Sequence, residues 1–391
     1  MQHYKFPVFT HIDEVKYALD GHDEFSISVR DGYKVIDYHY VSIDSFPPIN
    51  DNVSILRREF RGLLFDENGN VIGRRFHKFF NLGEREETLP ANVDFTNPHH
   101  ILLKEDGSMM SPYKLNGEIV WGTMMGHTDF GIACEDFIAQ SGVNYNGFTN
   151  HLLTQQYNPI FEWCNPATSI VIRHKEKRLV LTGIRHLHTG EYYSFADMVE
   201  LANKYNIPVV KEYGQVDCPS EEFMEKVHNN TDGIEGFVVQ FDSGHRIKVK
   251  TEWYVRQHKA KDNITIEKNV WSVILNDEID DLLPLLSIED GKTLVQFAAE
   301  LRQAMAQTAL TIRLQYYDMY EESGDNRAKY AELVKGNPNL IGGMKGMAFR
   351  MYSNPAIDPL SLVTDYAIKN IGSATKIEIA KSVIDVRDWV I

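Results

Sequence analysis

At 391 residues the chain is longer than one core of ordinary size fills, so two domains are expected, the larger at the N-terminal end. Hydrophobic residues at 43% and charged residues at 24% exclude a disordered or fibrous class. The net charge of −15 argues, taken alone, against a large polyanionic partner, because phosphate binding is carried by Lys and Arg.

Distribution qualifies that sum, since LRREFRGLLF with GRRFHKFF (56–80) and GHRIKVKTEWYVRQHKAK (244–261) are local basic islands. No apolar run approaches the roughly 20 residues of a membrane span, and MQHYKFPVFT has no charged flank before an apolar stretch. Cys134, Cys164 and Cys218 are too few and too scattered for a disulfide framework or a Cys-x-x-Cys metal site. A soluble protein of a reducing, cytoplasmic compartment, with no membrane partner, is the expectation.

In chain order, THIDEVKYALDG predicts a short helix, with Thr10 as cap, Asp13 in the capping-box position and Gly21 at its end. FSISVRDGYKVIDYHYV alternates about Asp31-Gly32 and predicts a hairpin. Short β-rich runs follow at 60–65, 76–80, 101–104, 118–123, 159–163, 178–184, 234–241 and 246–250, with helical segments near 131–140 and 194–205. Antiparallel sheets with helices packed on them, an α+β domain over 1–262, are expected. Beyond about 265 the texture changes. Leu294, Phe297, Ala298, Leu301, Met305, Ile312, Tyr316 and Met319 fall near helical spacing, and further helices are expected at 326–335, 359–370 and 374–389. An all-α domain over 263–391 is the result.

The chemistry starts from KEDG (104–107). Alone, Lys-x-Asp-Gly should occur by chance in roughly one in ten chains of this length. Three further constellations follow it in order. FEWCNP carries Glu162 in an apolar strand, GIEGFVVQF puts Glu235 before Gly236, and IKVKT spaces Lys248 and Lys250 so that both share one face of a strand. With RGLLF, FHKFFNLGE, LVLTGIR and KVKTEWYV in the same order, the chain resembles the phage RNA ligase 1 family within the covalent nucleotidyltransferase superfamily of ATP-dependent ligases and capping enzymes.

That resemblance implies an antiparallel-sheet nucleotidyltransferase (ATP-grasp-like ligase) domain followed by a helical domain that recognises RNA. It implies an ATP-dependent RNA ligase working through lysyl-AMP and RNA-adenylate, with Mg²⁺ or Mn²⁺, on RNA with 5′-phosphate and 3′-hydroxyl ends. The biological role would be RNA repair, with tRNA as the family precedent, in the host cytoplasm if the chain is phage-encoded; a monomer is favoured.

A lysine at its ordinary pKa is about one part in 2,500 free amine at pH 7, so a nucleophilic lysine needs cations or desolvation around it. By matched position, Lys104 is the nucleophile, Glu235 orients it or holds the metal, and Tyr254 is needed for ligation. Tyr38, Arg61, Lys78, Phe80, Gly107, Glu162, Gly236, Lys248 and Lys250 are assigned to ATP. Gly107 is expected to let backbone approach the nucleotide. Lys248 and Lys250 would neutralise the triphosphate. Asp280 is assigned to a metal. The family's basic residue before the glycine of WGTMMG is Met125 here, so a phosphate contact is either missing or supplied by Arg74 or Arg75.

The alternatives are a DNA ligase or a capping guanylyltransferase, both of which normally follow this domain with an oligonucleotide-binding barrel, and an RNA- or nucleotide-binding relative without catalysis. DGKT (290–293) imitates the tail of a P-loop, but Leu286 stands where the first glycine belongs. His99, His100, His186 and His188 lack metal-site spacing.

Overall fold

The computed structural model describes residues 4–42, 44–214, 222, 223, 225, 227 and 233–391; Cys218 lies outside them. Two compact units, Met1–Val255 and Arg256–Ile391, divide the chain. The expected change at 262/263 lies within helix Glu252–Thr265, which begins before the sequence texture turns helical.

Eleven strands fall among the described residues of the first unit: β1 (Phe25–Arg30), β2 (Tyr33–Tyr38), β3 (Leu63–Asp66), β4 (Val71–Gly73), β5 (His99–Lys104), β6 (Ser108–Leu115), β7 (Glu118–Gly122), β8 (Tyr157–Cys164), β9 (Arg178–His186), β10 (Gly236–Phe241) and β11 (Arg246–Lys250). They form three antiparallel sheets in the orders β1-β2-β3-β4, β11-β10-β5 and β7-β6-β8-β9. The unit is α+β. The Asp31-Gly32 hairpin forms as its sequence requires, with Gly32 at φ +79°.

Two expectations fail locally. THIDEVKYALDG forms two 3₁₀ turns, Ile12–Glu14 and Lys16–Leu19, instead of one helix. His11 with Glu14 makes the capping box, not Thr10 with Asp13, and Val15 at φ −126° interrupts the run. Residues 76–80 are not a ladder strand, although they run beside β11: Lys248 N donates to Phe80 O at 2.9 Å and Leu82 N to Lys248 O at 2.8 Å. Strand β6 and helix Tyr145–Thr154 were not expected from the sequence.

A fully buried ion network holds this unit together. Glu59 accepts from Arg185 through both carboxylate oxygens, at 2.7 and 2.8 Å, and from Arg74 Nε at 3.0 Å. Burial opposes the charge on Glu59, but the two guanidiniums outweigh it and hold the carboxyl below its ordinary range.

The second unit is helical throughout its described secondary structure. Its 36-residue helix Ile288–Ser323 is capped by Ser287, whose side chain accepts from Asp290 N. Leu294, Phe297, Leu301, Met305, Ile312, Tyr316 and Met319 of that helix are buried, as the spacing required, in one core with Trp271, Tyr330 and Met347. DGKT forms the first turn of this helix and not a phosphate loop. No helix among the described residues is long and apolar enough to cross a membrane.

Candidate active site

Strand register assembles the site. Lys104, Gly236 and Lys250 lie in one row across β5, β10 and β11, and Leu102, Val238 and Lys248 lie in the row two residues away. Rows two apart share a face of a sheet, so Lys104, Lys248 and Lys250 project together. Glu235 stands just before β10 and clasps two of them: Oε2 is 2.7 Å from Lys104 Nζ and Oε1 is 3.2 Å from Lys250 Nζ. Thr251 fixes this turn, its N–H donating to Glu235 O at 3.0 Å and its hydroxyl to Ile234 O at 2.9 Å.

The three lysines line a cavity of about 230 Å³. Phe76, Phe79, Leu102 and Val238 give it an apolar wall, Arg61 adds a fourth cation, and Glu105 and Glu162 bring carboxylates. Lys248 Nζ lies 5.3 Å from the Phe79 ring centroid. Burial, with Arg61, Lys78 and Lys104 adding to it, pushes the Lys248 amine down to about 7. Enclosure pushes the Glu162 carboxyl up to about 7; Lys104 and Arg61 pull against that shift, and Glu235 and Asp106 reinforce it. Near neutral pH both groups are poised to change charge when a ligand arrives.

A family model described as RNA ligase matches residues 59–254, half of the chain. The chain belongs to the RNA ligase family. The match includes Lys104, Glu162, Glu235, Lys248, Lys250 and Tyr254. A Thermovibrio ammonificans protein assigned by name to the RNA ligases is 27% identical over 282 residues, covering 69% of this chain and 70% of that protein. RNA ligase 1 of bacteriophage TS2126 is 24% identical over 237 residues, covering 59% of this chain and 58% of the phage protein. The chain thus spans less than two thirds of the phage relative. Among solved structures, an archaeal ATP-dependent RNA ligase is similar with a TM-score of 0.45 and 14% identity, over 66% of this chain and 64% of that one.

Within this RNA ligase family member, not every residue assigned from sequence reaches the cavity wall. Lys104, Arg61, Glu162, Lys248 and Lys250 do. Lys78 turns instead toward the Tyr38 hydroxyl, 3.3 Å away, and lies 4.8 Å from the Tyr38 ring centroid and 5.6 Å from that of Phe80. These three form a group beside the cavity, where Lys78 still adds to the positive field on Lys248. Phe80 is fully buried in the core of the first sheet, with the guanidiniums of Arg58 and Arg85 against its ring. Of this adjacent pair it is Phe79 that meets the cavity, together with Phe76. Neighbours in extended chain face opposite sides, and two adjacent phenylalanines give no sign of which side is which.

At both glycines the space of a side chain is taken by neighbouring backbone. A Cβ on Gly107 would lie 2.5 Å from Trp163 O, so the space left open is taken by β8. Gly236 sits at φ +148°, and a Cβ there would lie 2.1 Å from Val249 O. Tyr254 is buried, and its hydroxyl donates to Asp106 Oδ1 at 2.9 Å. Asp106, the acid of the Lys-x-Asp-Gly motif to which no role of its own was assigned, is only 1% exposed, and its other oxygen accepts from Val171 N and Ile172 N at 2.9 and 2.7 Å.

Neither expected substitute for the missing basic residue is free to serve. Arg74 is held by Glu59 and by the carbonyls of Pro7 and His188; Arg75 is buried and donates to the carbonyls of Gly62 and Gly122. Met125 is exposed. Asp280 is an exposed residue of helix Ile279–Leu282 in the helical unit, whereas Glu235 belongs to the first. Among the described residues no group of three or more His, Cys, Asp or Glu could hold a metal ion unaided. Mg²⁺ can also be held by one or two carboxylates together with substrate phosphates, and Glu162 and Glu235 are carboxylates standing by the site lysines.

Proposed function

We propose that this chain is an ATP-dependent RNA ligase that joins a 5′-phosphate to a 3′-hydroxyl through lysyl-AMP and RNA-adenylate intermediates. The observation that carries the reading is the single row of Lys104, Gly236 and Lys250, with Glu235 clasping both amines at the wall of a cavity that also holds Lys248 and Arg61.

In this reading the Lys104 amine, after losing a proton, attacks the α-phosphorus of ATP. A P–N bond forms, the Pα–O bond breaks and pyrophosphate leaves. Lys248, Lys250 and Arg61 face the triphosphate and offset the charge that builds on the leaving group. Glu235 holds Lys104 and Lys250 at a fixed spacing, and Phe76 and Phe79 offer the base an apolar, aromatic wall. A 5′-phosphate oxygen of RNA then attacks the same phosphorus, breaking the P–N bond and returning a proton to Lys104. Last, the 3′-hydroxyl attacks the activated 5′-phosphate and AMP leaves. Glu162 and Glu235 would hold Mg²⁺ or Mn²⁺ with the phosphates, and the ion supplies charge neutralisation during displacement. Asp280 is retained as a further metal candidate, repair of broken RNA, tRNA included, as the role, and the helical unit as the part that selects the substrate.

The test is intact-mass analysis after incubation with ATP and Mg²⁺ without RNA, followed by pyrophosphate and peptide mapping. One AMP adduct on Lys104, removed by pyrophosphate and absent in Lys104→Ala, is expected. An adduct that survives in Lys104→Ala sinks the assignment; no adduct in protein shown to be free of AMP turns the reading to a non-catalytic binding protein.

A further inference from the structure

If the chain acts on RNA, some cationic surface must take its phosphates, and within the first unit the two basic islands of the sequence do not supply it; the exposed Arg256 and Lys259 of the second island belong to the helical unit. Arg58, Arg74, Arg75 and Arg246 of those islands are buried. Arg58 is spent on Glu87 and the Pro47 carbonyl, Arg74 on Glu59, and Arg75 on backbone carbonyls. Arg61, Arg246, Lys248 and Lys250 line the cavity. A phosphodiester chain lying outside that cavity needs other cations.

The connection between β8 and β9 carries them. Residues 173–178 read Arg-His-Lys-Glu-Lys-Arg, and Arg173, Lys175 and Lys177 are exposed. Among the described residues neither Lys175 nor Lys177 is in an ion pair, although acids outnumber bases by 55 to 40 over the whole chain. One acid, Glu176, lies among these cations, and Arg178 is paired with Glu105 at 2.9 Å.

The loop is also fastened to the catalytic lysine's own turn. Val171 N and Ile172 N donate to Asp106 Oδ2, His174 Nε2 bonds to the Asp106 carbonyl, and Arg178 closes the far end on Glu105. All these anchors are one or two residues from Lys104. A solvated loop has no need of a buried carboxylate to hold it there.

We propose that the loop Ser169–Lys177 is a clamp for the RNA phosphate backbone, with Lys175 and Lys177 as its phosphate contacts and Asp106 as the residue that holds it beside Lys104. This rests on the ligase reading above, and the test separates the two. Binding of a 5′-phosphorylated single-stranded oligoribonucleotide is measured against salt for the wild type and for the Lys175→Ala/Lys177→Ala double variant. Each variant's AMP adduct with ATP and Mg²⁺, measured without RNA, serves as the folding control.

Each contact with a single strand contributes about 0.7 to the slope of log K against log salt, so the double variant's slope should be shallower by about 1.4. An unaltered slope in the double variant, or a wild type that binds no RNA, overturns the clamp. Absence of the AMP adduct in the wild type overturns the ligase chemistry instead, and the binding slopes are still read.

Discussion

Phe79 and Phe80 differ by one position and by everything around them. Phe80→Ala empties a core site and should cost about 3–5 kcal/mol of stability, read by urea unfolding. Phe79→Ala removes a cavity wall and should leave stability nearly intact while weakening nucleotide binding by roughly 1–3 kcal/mol, the usual worth of a base–aromatic stack. The reverse pattern would show that the two rings had been assigned to the wrong sides. Lys248 and Glu162, both near 7, make a second prediction. A triphosphate brought beside them without a divalent metal raises both pKa values, so metal-free binding at pH 7 to 8 takes up protons. Calorimetry with an ATP analogue whose α,β-bridging oxygen is a methylene should give a binding heat that varies with the buffer's ionisation enthalpy, less so in Lys248→Met. Proton release would contradict it. The motif lysines and glutamates were legible in the sequence because strand alternation and order along the chain fixed them. Asp106 was legible as a motif acid but its role was not, since that lies in contacts to residues 171, 172 and 254 that no local pattern announces.

Elements carry the site by register, and two of them are fastened by residues that touch no ligand. Gly236→Ala must move β11, whose Val249 carbonyl occupies the Cβ position, and so displaces Glu235 from Lys104 and Lys250. Adenylylation should fall by at least tenfold, and Gly236→Ala should melt lower than wild type; an unchanged rate would mean the hairpin tolerates the shift. Glu59→Gln leaves two buried guanidiniums without their carboxylate and should cost about 3–5 kcal/mol, measured by thermal and urea unfolding. The strands bearing Lys104, Glu162, Lys248 and Lys250 were legible as apolar runs. Residues 76–80 had the same composition but no ladder, because their hydrogen bonds to β11 come singly, at Phe80 and Leu82. The opening segment misled for a similar reason: its apolar spacing is helical, while His11 and Val15 divide it into two short turns.

Across the whole molecule, the proposed ligase, with a net charge of −15, would bind a polyanion through a few placed cations, so sealing should weaken steeply with salt. A flat response between about 50 and 200 mM would count against electrostatic docking altogether. The sheet orders also set a timetable for synthesis. Among the described residues strand β5, which ends in Lys104, finds its ladder partner in β10 alone, and its other backbone bonds are with Lys211, Tyr213 and Gly214. At about 5–20 residues per second, a ribosome takes on the order of ten seconds to make the chain between β5 and β10. For that interval the strand of Lys104 lacks its ladder partner and carries an apolar sequence, the form most exposed to pairing with a neighbouring chain. Chains released before β10 would lack both the clasp on Lys104 and the partner that keeps its strand from aggregating, so incomplete product of this protein should be found insoluble and without AMP.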